Sequence, residues 1–270
     1  MTIDVRPAAV AGRFYPDRPD RLRATVQELL DHAAGVGDPG RERPTAKAII
    51  APHAAYQYSG PIAATAYAWL APAKGLVSRV IVAGPAHFCP VSGVAVPSAH
   101  AFDTPLGAVT VDDDARQRAL GVQGVVVDDA AHAEEHSLEV QLPLLICALG
   151  DVPVLPLAVG RSGAGVLAEV LDRLWGGPET CFVISTDLSH YHPAHVAAAL
   201  DRRTADQICQ LEPPAADFAC GAAAIAGLLL TARRHDLAVR LLDLRNSADT
   251  AGDADRVVGY GAFAVLEREG

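Results

Sequence analysis

Short β-branched runs alternate with Ala/Leu-rich stretches along the 270-residue chain, and this alternation constrains the fold more than any other feature. A strand followed by a helix before the next strand makes a crossover, so the pattern calls for a sheet covered by helices. Candidate strands are Lys47 to Ala51, Arg79 to Ala83, Val91 to Val96, Gly124 to Val127, Val152 to Ala158, Cys181 to Ser185, Ala238 to Leu244 and Val257 to Leu266. Candidate helices are Arg21 to Ala34, Ile62 to Leu70, Asp113 to Leu120, His136 to Leu149, Ala164 to Trp175, Ala194 to Gln210 and Gly221 to Arg234. Half of the residues are hydrophobic and only 5% are aromatic, so the core is built mainly from Ala, Val, Leu and Ile, which suits buried parallel strands. The expectation is one α/β domain over residues 1–270, with a central, mostly parallel or mixed sheet flanked by helices. Gly35 to Pro44 reads as a surface loop, and Phe102 to Val111 as a hairpin or strand-edge excursion. Gly35-Val-Gly37 follows no strand and lacks the further glycine of a dinucleotide fingerprint.

A formal charge of -10 with no basic cluster argues against a nucleic-acid surface, because phosphate binding rests on grouped Lys and Arg. The five cysteines, at 89, 147, 181, 209 and 220, form no CxxC pair, which points to free thiols in a reducing compartment. No signal-like start and no uninterrupted membrane-length apolar stretch is present, so a cytoplasmic location is expected.

Three apolar runs end alike: Ile49-Ile-Ala-Pro-His53, Val80-Ile-Val-Ala-Gly-Pro-Ala-His87 and Phe182-Val-Ile-Ser-Thr-Asp187-Leu-Ser-His190. Ligands of open α/β sheets bind beyond the carboxyl ends of the strands, so these loops are expected to converge on one crevice. Proline or glycine shortly before the first two histidines ends the ladder and frees the side chain. Cys220-Gly221 opens a helix, where the dipole can favour a thiolate; read alone, a small buried cap is the better account. Glu134-Glu135-His136-Ser-Leu-Glu139 places acids in a first helical turn, and Glu135, His136 and Glu139 are candidates for the same pocket. The segment is not the HExxH pattern, since no second histidine follows. His192 and His195 read as solvated, and His32, His100, His132 and His235 as structural or exposed.

The ordered series Pro52-His-Ala-Ala-Tyr-Gln-Tyr-Ser-Gly60, Gly84-Pro-Ala-His87, Glu135-His-Ser-Leu-Glu-Val-Gln-Leu-Pro143, Ser185-Thr-Asp-Leu-Ser-His190, Cys220-Gly221 and Val257-Val-Gly-Tyr-Gly261 resembles the Memo family, whose bacterial members are called AmmeMemoRadiSam system protein B. Ala55 stands where that family commonly has Gly, and Phe88 where His or Asn is frequent. The resemblance implies a fold similar to the class III extradiol ring-cleaving dioxygenases. It also implies a pocket with His53, His87 and Cys220 as ligands of iron or copper, zinc being the alternative. Asp187 and His190 would be supporting or acid/base groups, with His190 resembling the dioxygenases' catalytic histidine. Those enzymes use two histidines and a carboxylate; a thiolate softens the site, so dioxygenase activity does not follow from the fold.

Three functions stand at this point. The first is a non-heme metal protein with redox or oxygenase-like chemistry. The second is a non-catalytic adaptor that takes a small molecule or peptide in the same pocket, with radical-SAM system proteins as partners implied by the family name. The third and weakest is a zinc hydrolase with Asp187 or Glu135 as base.

Overall fold

A computed structural model describes residues 4–35 and 45–268, so most of the expected Gly35 to Pro44 loop lies outside the described residues. In chain order the elements are β1 (Val5–Arg6), α1 (Pro19–Gly35), β2 (Ala48–Ala51), α2 (Tyr56–Tyr67), β3 (Arg79–Pro85), β4 (Val94–Val96), β5 (Ala101–Phe102), β6 (Val109–Thr110), α3 (Asp113–Leu120), β7 (Val125–Val127) and α4 (Ala130–Ala133). There follow α5 (His136–Glu139), α6 (Gln141–Leu149), β8 (Val154–Val159), α7 (Ala164–Arg173), β9 (Thr180–Ser185), β10 (His190–His192), α8 (Ala194–Cys209), α9 (Ala222–Arg234), β11 (Leu237–Asn246) and β12 (Val257–Glu267).

The main sheet runs β10-β12-β2-β9-β3-β8-β4-β7, with β11 also paired to β12. Its centre, β2-β9-β3-β8, is parallel, while β12 joins β2 and β4 joins β8 in antiparallel fashion. The sheet is therefore mixed with a parallel heart, and helices cover it in a single-domain α/β fold. Residues of β2, β8 and β9 are buried throughout, as strands covered on both faces must be. Helix α2 lies against β2 and β12 with α1 behind it; α9 lies against β3 and β9 with α7 alongside. The apolar cluster joining these layers is built mainly from Ala, Val, Leu and Ile.

Where elements depart from the sequence reading, proline accounts for two cases. The expected helix His136 to Leu149 is split into α5 and α6, because Pro143 has no N–H to bond the carbonyl of Glu139 four residues before it. Helix α2 begins at Tyr56, not after Pro61: a proline on its second turn is tolerated, and the Ser59 hydroxyl closes the entry by donating to the Ala54 carbonyl at 2.8 Å. Strand β10 is an element that the sequence reading did not include, and Tyr191 within it has a left-handed φ of 62°. The Phe102 to Val111 excursion forms the antiparallel pair β5-β6, which β1 joins in a small second sheet.

That second sheet is tied to the main body by a buried ion pair. The Arg6 guanidinium meets the Glu139 carboxylate, and its other nitrogens donate to the carbonyls of His132 and Glu135 at 3.0 and 2.9 Å. Glu139 also accepts from the Tyr15 hydroxyl and from the amides of Ala9 and Val10. Removing one partner of such a pair leaves a buried charge uncompensated. Arg6→Ala is therefore expected to cost about 3–5 kcal/mol, read as a lowered urea midpoint.

Candidate metal centre

Strands β2, β9 and β3 are consecutive neighbours running in one direction, so the segments leaving them open onto the same edge of the sheet. His53 follows β2, His87 follows β3, and Asp187 follows β9. The expected convergence is thus what the backbone produces. Helix α5 adds His136: one ligand atom from each of His53, His87 and His136 lies within 4.8 Å of the others. The His87 and His136 rings stack at 4.8 Å, with His53 edge-on to both. His53 is buried, His136 partly buried and His87 exposed, so the group grades from the interior to solvent.

Neighbours fix which ring nitrogen each histidine offers. The Ser185 hydroxyl donates to the Ser137 carbonyl at 2.6 Å and accepts from the Gln141 amide at 2.8 Å. With its one proton committed, Ser185 Oγ accepts from Nδ1 of His53 at 2.9 Å, which leaves the lone pair on His53 Nε2. Glu135 does the same for His87, accepting from Nδ1 at 2.9 Å and from the backbone amide at 2.6 Å. This arrangement of imidazole backed by a carboxylate or hydroxyl orients metal-binding histidines. Two imidazoles so held, with that of His136 beside them, are a donor set suited to zinc, copper, iron or nickel.

Cys220 stands beside this group. Its Sγ lies 3.3 Å from His53 Nε2 and accepts from the Asp187 amide at 3.2 Å. Gly221 makes the approach possible, since a Cβ there would sit 2.7 Å from Thr186 Cβ and 2.8 Å from the Ser185 carbonyl oxygen. Burial and the Asp187 carboxylate push the thiol up to about 12, so the acidification expected from a helix N-terminus is outweighed. Asp187 is itself buried, and burial raises it; its Oδ1 accepts from the His53 amide at 2.8 Å. His190 is half-buried on β10, and no hydrogen bond joins it to Asp187 among the described residues. Glu139 faces the N-terminal arm instead of the histidines. Ser185 and Gln141 lay inside quoted motifs yet went unnoticed; their signal was a polar residue at the end of a buried strand and another facing it from a helix.

The family model described as Memo-like protein matches residues 6–264. A MEMO1 family protein of Methanopyrus kandleri is 34% identical, covering 96% of this chain and 98% of its own length. Another, from Methanosarcina barkeri, is 34% identical over 97% of this chain and its full length. Among solved structures, an uncharacterized protein of Escherichia coli K12 superposes with a TM-score of 0.51 at 13% identity, covering 80% of this chain and 98% of its own, a likeness of fold.

Burial depresses the imidazoles: His53 from 6.5 to about 3, and His136 from 6.5 to about 4. Burial would raise Glu135, but hydrogen bonds and charge from His87, with the Ser137 amide, outweigh it and hold the carboxyl at about 2. Each of these groups binds its proton more tightly in the unfolded chain. For the two histidines, stability is therefore intact above 6.5 and lost as pH falls from 6.5 toward 3–4; Glu135 extends the loss from 4.5 toward 2. Urea midpoints of the metal-free protein should fall steadily from pH 7 to pH 4, and His53→Asn should flatten that slope.

Proposed function

Because the chain belongs to the Memo family, we propose that it is a metal-binding protein whose ion is held by His53, His87 and His136, with Cys220 as the adjoining sulfur donor and Asp187 and His190 as the groups that handle protons. The observation that carries the reading is the convergence of three imidazole nitrogens within 4.8 Å, on rings of which two are oriented by hydrogen bonds. Iron or copper is the proposed metal, since imidazole suits both and a neighbouring thiol favours softer ions than an all-oxygen site would. Bound there, either would supply one-electron chemistry. The chain's own residues prepare the site: Ser185 and Glu135 fix two rings, Asp187 fixes the His53 backbone, and burial keeps His53 and His136 neutral with lone pairs available, while His87 stands on the exposed side. The class III extradiol dioxygenase likeness makes redox or oxygenase-like chemistry the first reaction class to assay.

A second reading has support of its own. Phe88 and Tyr191, 61% and 65% exposed, follow His87 and His190 directly, and the Phe88 ring lies 5.8 Å from that of His136. Exposed aromatics next to the histidines suit recognition of a small molecule or peptide, with or without turnover. The zinc hydrolase reading must rest on Asp187 as base, because Glu135 is committed to His87.

Metal content of anaerobically purified protein tests the proposal. Stoichiometric iron or copper in the wild type, lost in His53→Ala and His136→Ala, is the expected result; unchanged content in both variants rejects the site. Glu135→Gln, which keeps the fold of the loop and loosens His87, is expected to weaken binding by about 10–100-fold. Cys220→Ser should shift the retained metal from copper toward zinc.

A further inference from the structure

The loop that carries His190 is gripped from beneath by a carboxylate with no role so far. Asp201, on α8, is 2% exposed and accepts the Ser189 amide at 2.9 Å through Oδ1. The same loop is stitched to β12 on either side: the Leu188 amide donates to the Gly259 carbonyl and the Gly259 amide to the Ser189 carbonyl, both at 2.8 Å, and His190 pairs with Val258. Gly259 is where sheet and carboxylate meet. A Cβ there would fall 1.9 Å from Asp201 Oδ2 and 2.4 Å from its Cγ, so the carboxylate occupies the space of the missing side chain. The glycine of the Val257-Val-Gly-Tyr-Gly261 motif is thereby explained by a close approach, with no unusual φ required.

A single amide needs no ionisable partner: a serine or asparagine would satisfy it without burying a charge. Asp201 also feels the charges of His190 and His192, which oppose the rise that burial imposes on it. Ser189 is buried, and its amide is the contact that joins Asp201 to the loop, beside the two bonds the loop makes with Gly259.

We propose that Asp201 is the positioning residue for His190, holding the 187–190 loop through the Ser189 amide while its charge bears on the His190 imidazole, and that Gly259 is the gap that admits it. The proposal rests on the reading of His190 as a proton-handling group. Charged or titratable groups around His190 are Asp187 on the same loop, His192 on the same strand, Asp201 from α8 and His53 from the segment after β2; Arg256 lies over the ring of the adjoining Tyr191.

Histidine ring-nitrogen NMR titrations of the purified full chain, with and without zinc, test this. Asp201→Asn keeps an acceptor for the Ser189 amide and removes the charge; the His190 midpoint is expected to move to lower pH, because a nearby anion that favours imidazolium is gone. Gly259→Ala, which displaces the carboxylate without altering it, should move the midpoint in the same direction. In the wild type, the carboxyl carbon of Asp201 should show an inflection at the His190 midpoint, a readout that needs no variant to fold. A lowered unfolding midpoint with the His190 titration unmoved, or an Asp201 resonance without that inflection, overturns the proposal and leaves Asp201 a structural residue. Absence of bound metal in the wild type would reject the metal site and leave this titration unaffected.

Discussion

Three neighbouring strands of one direction decide where this protein can do chemistry. Because β2, β9 and β3 are parallel and adjacent, their carboxyl ends form one edge, and whatever follows them is brought together without any long-range loop. Strands β2 and β3 flank β9, so the backbones that carry His53 and His87 leave the sheet two strand spacings apart, about 10 Å, and the side chains close the remaining distance. They must also be oriented. That task falls to α5, which packs against β3 and delivers Glu135, His136 and Ser137 to the same edge. The ion pair of Arg6 with Glu139 then anchors α5 to the N-terminal arm, and the arm also reaches the site directly, the Phe14 ring lying 4.8 Å from that of His136.

Burial sets the charge state of what is assembled there. The desolvation that keeps His53 and His136 neutral also keeps the Cys220 thiol protonated, and these effects have opposite value for metal binding. A neutral imidazole already presents its lone pair; a thiol must first lose a proton. Imidazole lone pairs are thus available in this fold, whereas the thiol would have to give up a proton before it could act as a ligand. His53 and His87 belong both to the three-histidine cluster and to the set of two histidines and a cysteine that the family resemblance implies, and Cys220 Sγ lies 3.3 Å from His53 Nε2.

Much of this was legible in the sequence because it is written at the level of strand ends. The runs ending in His53, His87 and Asp187 carried both the sheet and the convergence of its loops, since proline, glycine and alternating hydrophobicity report local backbone directly. All eight strands read from the sequence are present with shifted ends. Illegible were the contacts set by packing between distant segments: Glu139 with Arg6, His53 with Ser185, and Asp201 with Gly259. Glu139 shows the reason. Helical spacing put it near Glu135, but the break before Pro143 ends α5 after one turn and leaves its carboxylate facing the arm.

Carboxylates divide the labour of the site. Glu135 spends both oxygens on His87 and is held at about 2, so it orients and does not exchange protons near neutrality. Asp187 and Asp201 are buried, burial raises both, and each accepts a hydrogen bond from a backbone amide, of His53 and of Ser189. His53 and His87 are backed differently, by Ser185 and Glu135, which accept from Nδ1 and leave the lone pair on Nε2. The edge formed by β2, β9 and β3 therefore carries two chemically different groups side by side: imidazoles held by Ser185 and Glu135, and, toward β12, His190 with the buried carboxylates of Asp187 and Asp201.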